Sequence, residues 1–444
     1  MAFKTFKTRF GVLFQAGTRD NSPVAERYLH GLVQAEHCTF AEMAEVVENG
    51  CEQQFQHFIS NSPWKHEPVS TKIAQDADRL LGGKPSSCLV IDESSFPKQG
   101  ACSVGVARLW SGRLGKVDNC QVAVFGVLTD GQCHVPIDAR LYLPKEWTED
   151  AERCDAVGIP AQARELKAKS RLALEIVRTA RANGVRFAWS GYDAGYGKEP
   201  AFLRSLEVDG EIFVADVQKT QRVWLERPEI MVREPKGRQK CMPKKRTSGV
   251  PITVENFAKG LRPDDWTRCE LRDTTRGKLR VDIATRRVWL WDGDEETPRC
   301  WHLIVRREVC SVKTIKYSLS NAPPETPLLQ LAQMQGQRYW VERTFEDSKG
   351  ECGLADYQAV GWKAWHHHVV MVMLAMLFIA EQRVAHLPVL DLLTPRDIVD
   401  ILKETLPRKP EGLNALVARI NKRHDQRYGA IQSRCRSQQK AAPS

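Results

Sequence analysis

Residues 88–98 read CLVIDESSFPK, and the fold class turns on them. A short apolar run, Cys88 to Asp92, ends in an acid, the pattern of a buried strand that carries a carboxylate at its C-terminal end. Gly82-Gly83-Lys84-Pro85 just before it is a turn signal and an expected boundary. Downstream, Cys120 to Leu128 and His134 to Leu143 read as two more strands, with Thr129-Asp130-Gly131 as the hairpin signal between them. Gln162 to Asn183 is expected as a long amphipathic helix stopped by Asn183-Gly184. Val185 to Tyr192 is a fourth strand closed by Asp193, Ala194-Gly195-Tyr196-Gly197 turns into a short helix over Glu199 to Leu206, and Glu211 to Val217 is a fifth strand. Strands that first hairpin and then alternate with helices specify an α/β mixed sheet flanked by helices.

Outside this segment the texture differs. Residues 1–85 read as helical, with Pro23 to His37, a helix opened by the capping pair Thr39 and Glu42, and Glu52 to Ile59 as candidates. Such helices suit a DNA-binding bundle and equally a plain helical lid. Residues 86–217 form the first part of the core. Residues 218–326 are basic, rich in Pro, Arg and Trp, and read as a β-rich insertion with runs at Cys269–Arg272, Leu279–Ile283, Arg287–Trp291, His302–Arg306 and Lys313–Ser318. Helical periodicity returns in 327–387, through Gln330, Tyr339, Val341, Phe345 and Lys349, and then in a strongly apolar helix, Trp362 to Val384. Residues 388–444 are expected as a basic helical tail.

The chain has 444 residues, with 65 Lys and Arg against 55 Asp and Glu. Its 42% hydrophobic and 27% charged content excludes wholesale disorder, collagen and coiled coil. The charge is uneven: Arg222–Arg246 carries a balance of +6 and Arg408–Ser444 one of +7, leaving the remainder near −3. Two basic tracts on a near-neutral body favour a polyanion partner and predict steep salt dependence. The N-terminus lacks a signal pattern, and the apolar run Val369–Ala380 is too short for a bilayer, so no membrane partner is expected. The 13 cysteines are scattered without a CxxC pair, which reads as reduced thiols in a cytoplasmic protein.

Three acids stand out: Asp92 and Asp193 at strand ends and Glu342 on the helix after the insertion. Taken alone, an acid at a strand end is an ordinary turn or capping residue; the trio carries the reading. Carboxylates at the ends of neighbouring strands can converge, and a packed helix can complete the site. Carboxylate oxygens suit Mg²⁺ or Mn²⁺, and a pair of such ions about 3.5–4 Å apart serves phosphodiester chemistry. Arg338, Glu342, Phe345 and Lys349 lie on one helical face, so cations flank the acid and can hold phosphates; the plain alternative is a surface of i,i+4 ion pairs. Glu346 rivals Glu342 as third ligand. Lys98, Arg108, Arg113 and Lys116 follow the first acid in a Gly/Ser-rich stretch expected as a loop along DNA. Trp340 is a candidate for stacking on an unpaired base or for core packing. His366-His367-His368 cannot chelate one ion well, since adjacent helical residues point apart; they read as packing and surface residues or, less fully, as DNA contacts.

The helical lead-in RYLHGLVQAEHCTFAEMAE, the block that begins VIDESSFPKQG, the block GYDAGYGKEPAFL and RYWVERTFEDSKGECGLADYQAVGWKAWHHH together resemble the DDE transposases of bacterial insertion sequences, in the branch around the insertion-sequence-four and seven-hundred-one groups. That branch's signature has Tyr, two residues, Arg, three residues, Glu, six residues, Lys. Arg338, Glu342 and Lys349 match it at that spacing, while Gln335 stands at the Tyr position. The resemblance implies a ribonuclease-H-like catalytic core interrupted by the β insertion, with Asp92, Asp193 and Glu342 as the catalytic, metal-binding triad. It implies DNA cutting at element ends and joining of the freed 3′-OH to target DNA with a pair of Mg²⁺ ions, or Mn²⁺ as substitute.

By the same resemblance the partners are double-stranded DNA at the element ends and target, and a second copy in a homo-oligomer, working in the cytoplasm at the nucleoid. Two other classes fit less fully: a two-metal nuclease on the same fold, which cuts without joining, and a catalytically silent DNA-binding relative.

Overall fold

The computed structural model describes residues 5–441 apart from 113, 234–243, 275–276, 294, 310, 391 and 411. Ten strands make one mixed sheet: β1 (Cys88–Pro97), β2 (Ala107–Ser111), β3 (Lys116–Thr129), β4 (His134–Leu141), β5 (Trp189–Tyr192), β6 (Phe213–Val217), β7 (Thr267–Thr274), β8 (Gly277–Leu290), β9 (Arg299–Glu308) and β10 (Ser311–Ser320). Their order across the sheet is β7-β8-β9-β10-β6-β5-β1-β3-β2, with β4 also on the far edge of β3. The pairs β1–β5 and β5–β6 are parallel and the others antiparallel. The four long strands of the 218–326 segment thus continue the sheet, because β10 pairs with β6 from Tyr317↔Val217 to Ser320↔Val214.

Several expected boundaries shift. The first strand does not end at Asp92. Its antiparallel ladder with β3 runs on to Pro97↔Cys120, whereas its parallel partner β5 accompanies it only to Ile91. Asp92 therefore sits mid-strand, at the point where one flank opens. The expected loop over Lys98 to Lys116 contains a hairpin, since β2 pairs with the start of β3 from Ala107↔Cys120 to Ser111↔Lys116. The runs Leu279–Ile283 and Arg287–Trp291 are one strand, β8, held by an unbroken ladder to β9. The long helix starts at Lys169 rather than Gln162, because Arg164 turns back to the Ile159 carbonyl, at 2.8 Å from Nη2, and the chain stays extended at Ala168.

Helices cover both faces of the sheet. Eleven of them are α1 (Ser22–Gln34), α2 (Phe40–Val46), α3 (Glu52–Ser60), α4 (His66–Leu81), α5 (Lys169–Ala182), α6 (Pro200–Val208), α7 (Leu328–Gly336), α8 (Tyr339–Glu351), α9 (Trp362–His386), α10 (Pro395–Thr405) and α11 (Leu413–Ala441). Of these, α4 lies within the span expected to be helical but was not singled out there; its buried positions Val69, Ile73, Ala77 and Leu81 recur every four residues. Strand alternation divides the core. Leu89 and Ile91 of β1 join Ile176 of α5 and the apolar body of α9 on one face, while Cys88 and Val90 join Val341 of α8 and Leu331 of α7 on the other.

By length and hydropathy α9 would suffice to cross a membrane, but most of it is buried inside the protein. Phe6, Phe10 and Phe14 of the N-terminal segment and Phe55 and Phe58 of α3 share its core, with Phe10 edge-on to Phe378 at 5.8 Å. The three adjacent histidines take three separate partners. His366 Nδ1 lies 2.9 Å from the Trp362 carbonyl. His367 stacks on Trp64 at 3.7 Å between the Ile59 and Trp64 carbonyls. His368 stands between the Tyr28 hydroxyl and the Gly353 carbonyl. Burial lowers all three below the usual imidazole value, His367 to about 4 and His368 to about 3. No disulfide links the described cysteines.

Candidate active site

Strand parity brings the acids together. Asp92 continues the Cys88 and Val90 face of β1, the face that α7 and α8 cover. Asp193 keeps the parity of Trp189, just past the end of the adjacent strand β5. There its Oδ1 accepts the amides of Gly195 at 2.9 Å and Tyr196 at 3.2 Å, capping the short turn of helix Ala194–Gly197. Gly197 is required in that turn: a Cβ there would collide with the Asp216 carbonyl of β6. Asp216 itself shares the face of Val214, which belongs to the same apolar cluster. Sequence reading passed over Asp216, although an acid inside the otherwise apolar strand FVADV was the available signal.

The helix expected from Pro327 onward is two helices, and Arg338 occupies the break between them as the N-cap residue of α8. Its guanidinium is the hub of the site. Nε donates to Asp216 at 3.1 Å, Nη1 to Asp92 at 3.3 Å and Nη2 to Glu342 at 2.7 Å. Burial works against its charge, but Asp216, Asp92, Glu342 and Asp193 outweigh it, so the guanidinium is held cationic. Asp92 is in the opposite position. Burial, then the neighbouring Asp193 charge, push its carboxyl up to about 7 against the pull of Arg338. Its Oδ1 accepts the Glu93 amide at 2.7 Å.

Glu342 lies in the first turn of α8, half-exposed, where an acid also suits the helix dipole. Its rival Glu346 is engaged elsewhere, by Arg343 at 3.4 Å. Lys349 lies along β1, with Nζ 3.3 Å from the Ser95 carbonyl and 5.3 Å from the Phe96 ring. The expected face of Arg338, Glu342, Phe345 and Lys349 therefore lies along the first strand. On the other side of α8, Thr344 Oγ1 meets His134 Nδ1 at 2.9 Å, and Asp347 lies 3.3 Å from His134 Nε2 and 2.6 Å from Arg343. These buried contacts set the helix against the start of β4 and so orient Glu342.

The other expected DNA contacts separate. Trp340 faces this second side of α8, packed on His134 with ring centroids 5.4 Å apart. Lys98 is turned inward: its ammonium donates to the Tyr357 carbonyl at 2.6 Å and lies 4.1 Å from the Tyr357 ring, and burial lowers it to about 8. Arg108 and Lys116 are exposed on the β2–β3 hairpin, Lys116 beside Asp118 at 3.3 Å. Arg113 lies outside the described residues. Beside the acids opens a cavity of about 600 Å³ lined by Asp193, Asp216, Lys219, Lys259, Lys316 and Arg338.

Among the described residues no group of three His, Cys, Asp or Glu side chains is close enough together to hold a metal ion. A guanidinium instead stands between Asp92, Asp216 and Glu342. The donor set still fits a hard divalent cation, because Asp193 lies near enough to disfavour the Asp92 charge and both carboxyls offer oxygen. Two carboxylates on one sheet face, beside a cation-lined cavity, are suited to binding a phosphodiester and developing charge around it.

Comparison with known proteins agrees with this chemistry. The family model described as DDE superfamily endonuclease matches residues 12–278, more than half of the chain. That range includes Asp92, Asp193 and Asp216 and stops before Glu342. The chain is also similar to a probable transposase for insertion sequence element IS701 from Microchaete diplosiphon, 25% identical over 339 residues, which is 75% of this chain and 76% of that protein. With its acids gathered on one sheet face and its family model matched over most of their span, the chain belongs to the DDE superfamily endonucleases.

Proposed function

We propose that the protein is a DDE transposase on a ribonuclease-H-like core, cutting DNA at insertion-sequence ends and joining the freed 3′-OH to target DNA. The observation that carries this reading is the meeting of Asp92, Glu342 and Arg338 beside Asp193, from separate parts of the chain. Asp92, Asp193 and Glu342 would hold a pair of Mg²⁺ ions, or Mn²⁺ in their place. When bound, the metal supplies Lewis-acid stabilisation of the attacking and leaving oxygens. The chain's own residues do the rest. Arg338 offers guanidinium donors to a phosphate in the bidentate geometry that favours Arg over Lys. Lys349 adds charge along the first strand, and the cavity lined by Lys219, Lys259 and Lys316 offers a cationic wall to the backbone. A second copy of the chain would be needed to hold two ends together, on cytoplasmic DNA at the nucleoid.

The test is strand cleavage and joining on linear DNA that carries the ends flanking this coding sequence, in Mg²⁺ and in EDTA, beside Asp92→Asn and Glu342→Gln. Metal-dependent cutting at the boundary with a joined product, lost in both variants, is expected. Cutting without joining would make the protein a nuclease. Salt-sensitive binding with no cutting in either Mg²⁺ or Mn²⁺ would make it a silent DNA-binding relative.

A further inference from the structure

We propose that Asp216 is a positioning residue of this site, which anchors the Arg338 guanidinium by its Nε edge and acts on metal and DNA only through it. This rests on the transposase reading above.

Both oxygens of Asp216 are committed. Oδ2 accepts from Arg338 Nε at 3.1 Å, and Oδ1 accepts from Ser318 Oγ at 2.5 Å. Ser318 is its register partner across the β6–β10 pair, and its hydroxyl in turn accepts from Gln335 Nε2 at 2.6 Å. A chain of hydrogen bonds therefore runs Gln335, Ser318, Asp216, Arg338, linking α7, two strands and the N-cap of α8. It also gives a role to Gln335, which stands where the related signature has Tyr. The carboxylate is mostly enclosed, with its side chain 17% exposed, and Arg338 likewise at 18%.

The anchor solves a conflict within the site. The cation that would grip a phosphate also bonds the two carboxylates, Asp92 and Glu342, that would hold a metal. A guanidinium has donors along three edges in one plane. With Nε fixed on Asp216, Nη1 and Nη2 can exchange Asp92 and Glu342 for a phosphate without the side chain leaving the site. Without that anchor the group would settle fully on Asp92 and Glu342 and compete with a divalent cation for them.

A double-mutant cycle tests this with two readouts besides activity: Mn²⁺ binding to the DNA-free protein by electron paramagnetic resonance, and affinity for end DNA in EDTA. Asp216→Asn is expected to weaken both by about tenfold, in the range of coupled neighbours. Arg338→Gln is expected to weaken DNA binding but to leave Mn²⁺ binding as tight as the wild type or tighter. The double variant should match Arg338→Gln in both. Ser318→Ala, which keeps the charge and removes one hydrogen bond, should shift both readouts in the direction of Asp216→Asn by a smaller factor, and it reads the same chain if Asp216→Asn fails to fold. Weaker Mn²⁺ binding by the double variant than by Arg338→Gln would make Asp216 a metal ligand and overturn the proposal, as would no effect of Asp216→Asn or Ser318→Ala on either readout. If the wild type binds no Mn²⁺, the metal-dependent reading of the site fails, while the DNA-affinity cycle still decides whether Asp216 works through Arg338.

Discussion

Arg338 Nη1 lies 3.3 Å from Asp92 Oδ2, joining residues 246 positions apart. One guanidinium thus neutralises a carboxylate from the first strand, one from β6 and one from its own helix. Arg338→Gln leaves Asp92, Asp216 and Glu342 without the cation they share. We expect DNA cleavage to fall by about 10²–10³-fold, the scale for losing a donor aimed at developing charge. Single-turnover cleavage at saturating DNA measures this, and a loss confined to DNA affinity would contradict it.

Asp92 carries the opposite balance. Burial and Asp193 disfavour its charge, so the ionised carboxylate costs stability that function requires. Asp92→Asn should therefore abolish cutting while raising the melting temperature by about 1 °C per kcal/mol recovered, the scale for a chain of this length. A lower melting temperature would mean that the bond to Arg338 outweighs the burial cost.

The choice of third acid is checked by paired variants. Glu342 shares Arg338 with Asp92, whereas Glu346 is exposed and bound to Arg343. Glu342→Gln is expected to remove cleavage altogether, and Glu346→Gln to change it by less than about threefold, in keeping with the small worth of an exposed ion pair. Equal losses would leave α8 without a distinguished acid.

The buried histidines set the response to acid. His368 accepts from the Tyr28 hydroxyl at Nδ1, 2.8 Å away, and donates from Nε2 to the Gly353 carbonyl, which is the neutral form. Burial, and then Lys98, lower it from 6.5 to about 3, and burial lowers His367 to about 4. For a folded value below the unfolded one, stability is fully present well above pH 6.5, starts to fall about a unit above it and keeps falling toward pH 4 and 3, because the unfolded chain takes up the protons first. Urea midpoints should decline between about pH 7.5 and pH 5, and His368→Gln should flatten that decline.

The C-terminal helix α11 is basic, and the side chains described along it, including Leu413, Ile420 and Tyr428, are exposed. Ending the chain after Pro410, which keeps the Val47–Arg408 bridge and the Lys409 bonds to Val46 and Ala44, should leave the melting temperature within about 2 °C, since surface changes are worth about 0.5 kcal/mol or less. It should reduce the slope of log affinity for DNA against log salt by about one unit for each phosphate that α11 neutralises. An unchanged slope would place DNA binding wholly on the core.

Local periodicity and spacing were enough to read the first strand, its hairpin partners, the apolar helix α9 and the run that carries Arg338, Glu342 and Lys349. Each lies within a window whose own hydrophobic pattern or side-chain spacing encodes it. The same pattern named Asp92 and Asp193 and held the adjacent histidines apart from any shared ligand. What lay beyond any such window was decided by register and packing. Asp216 enters the site because β10 pairs Ser318 opposite it and because Arg338 reaches it across 122 residues. Lys98 leaves the expected DNA face because Tyr357, from a distant turn, offers it a carbonyl and a ring. The strands after residue 218 extend the central sheet because the free edge of β6 is met by β10. A sequence states which faces a strand or helix will bury, but only the closed fold determines which charged groups from separate strands come to share one partner.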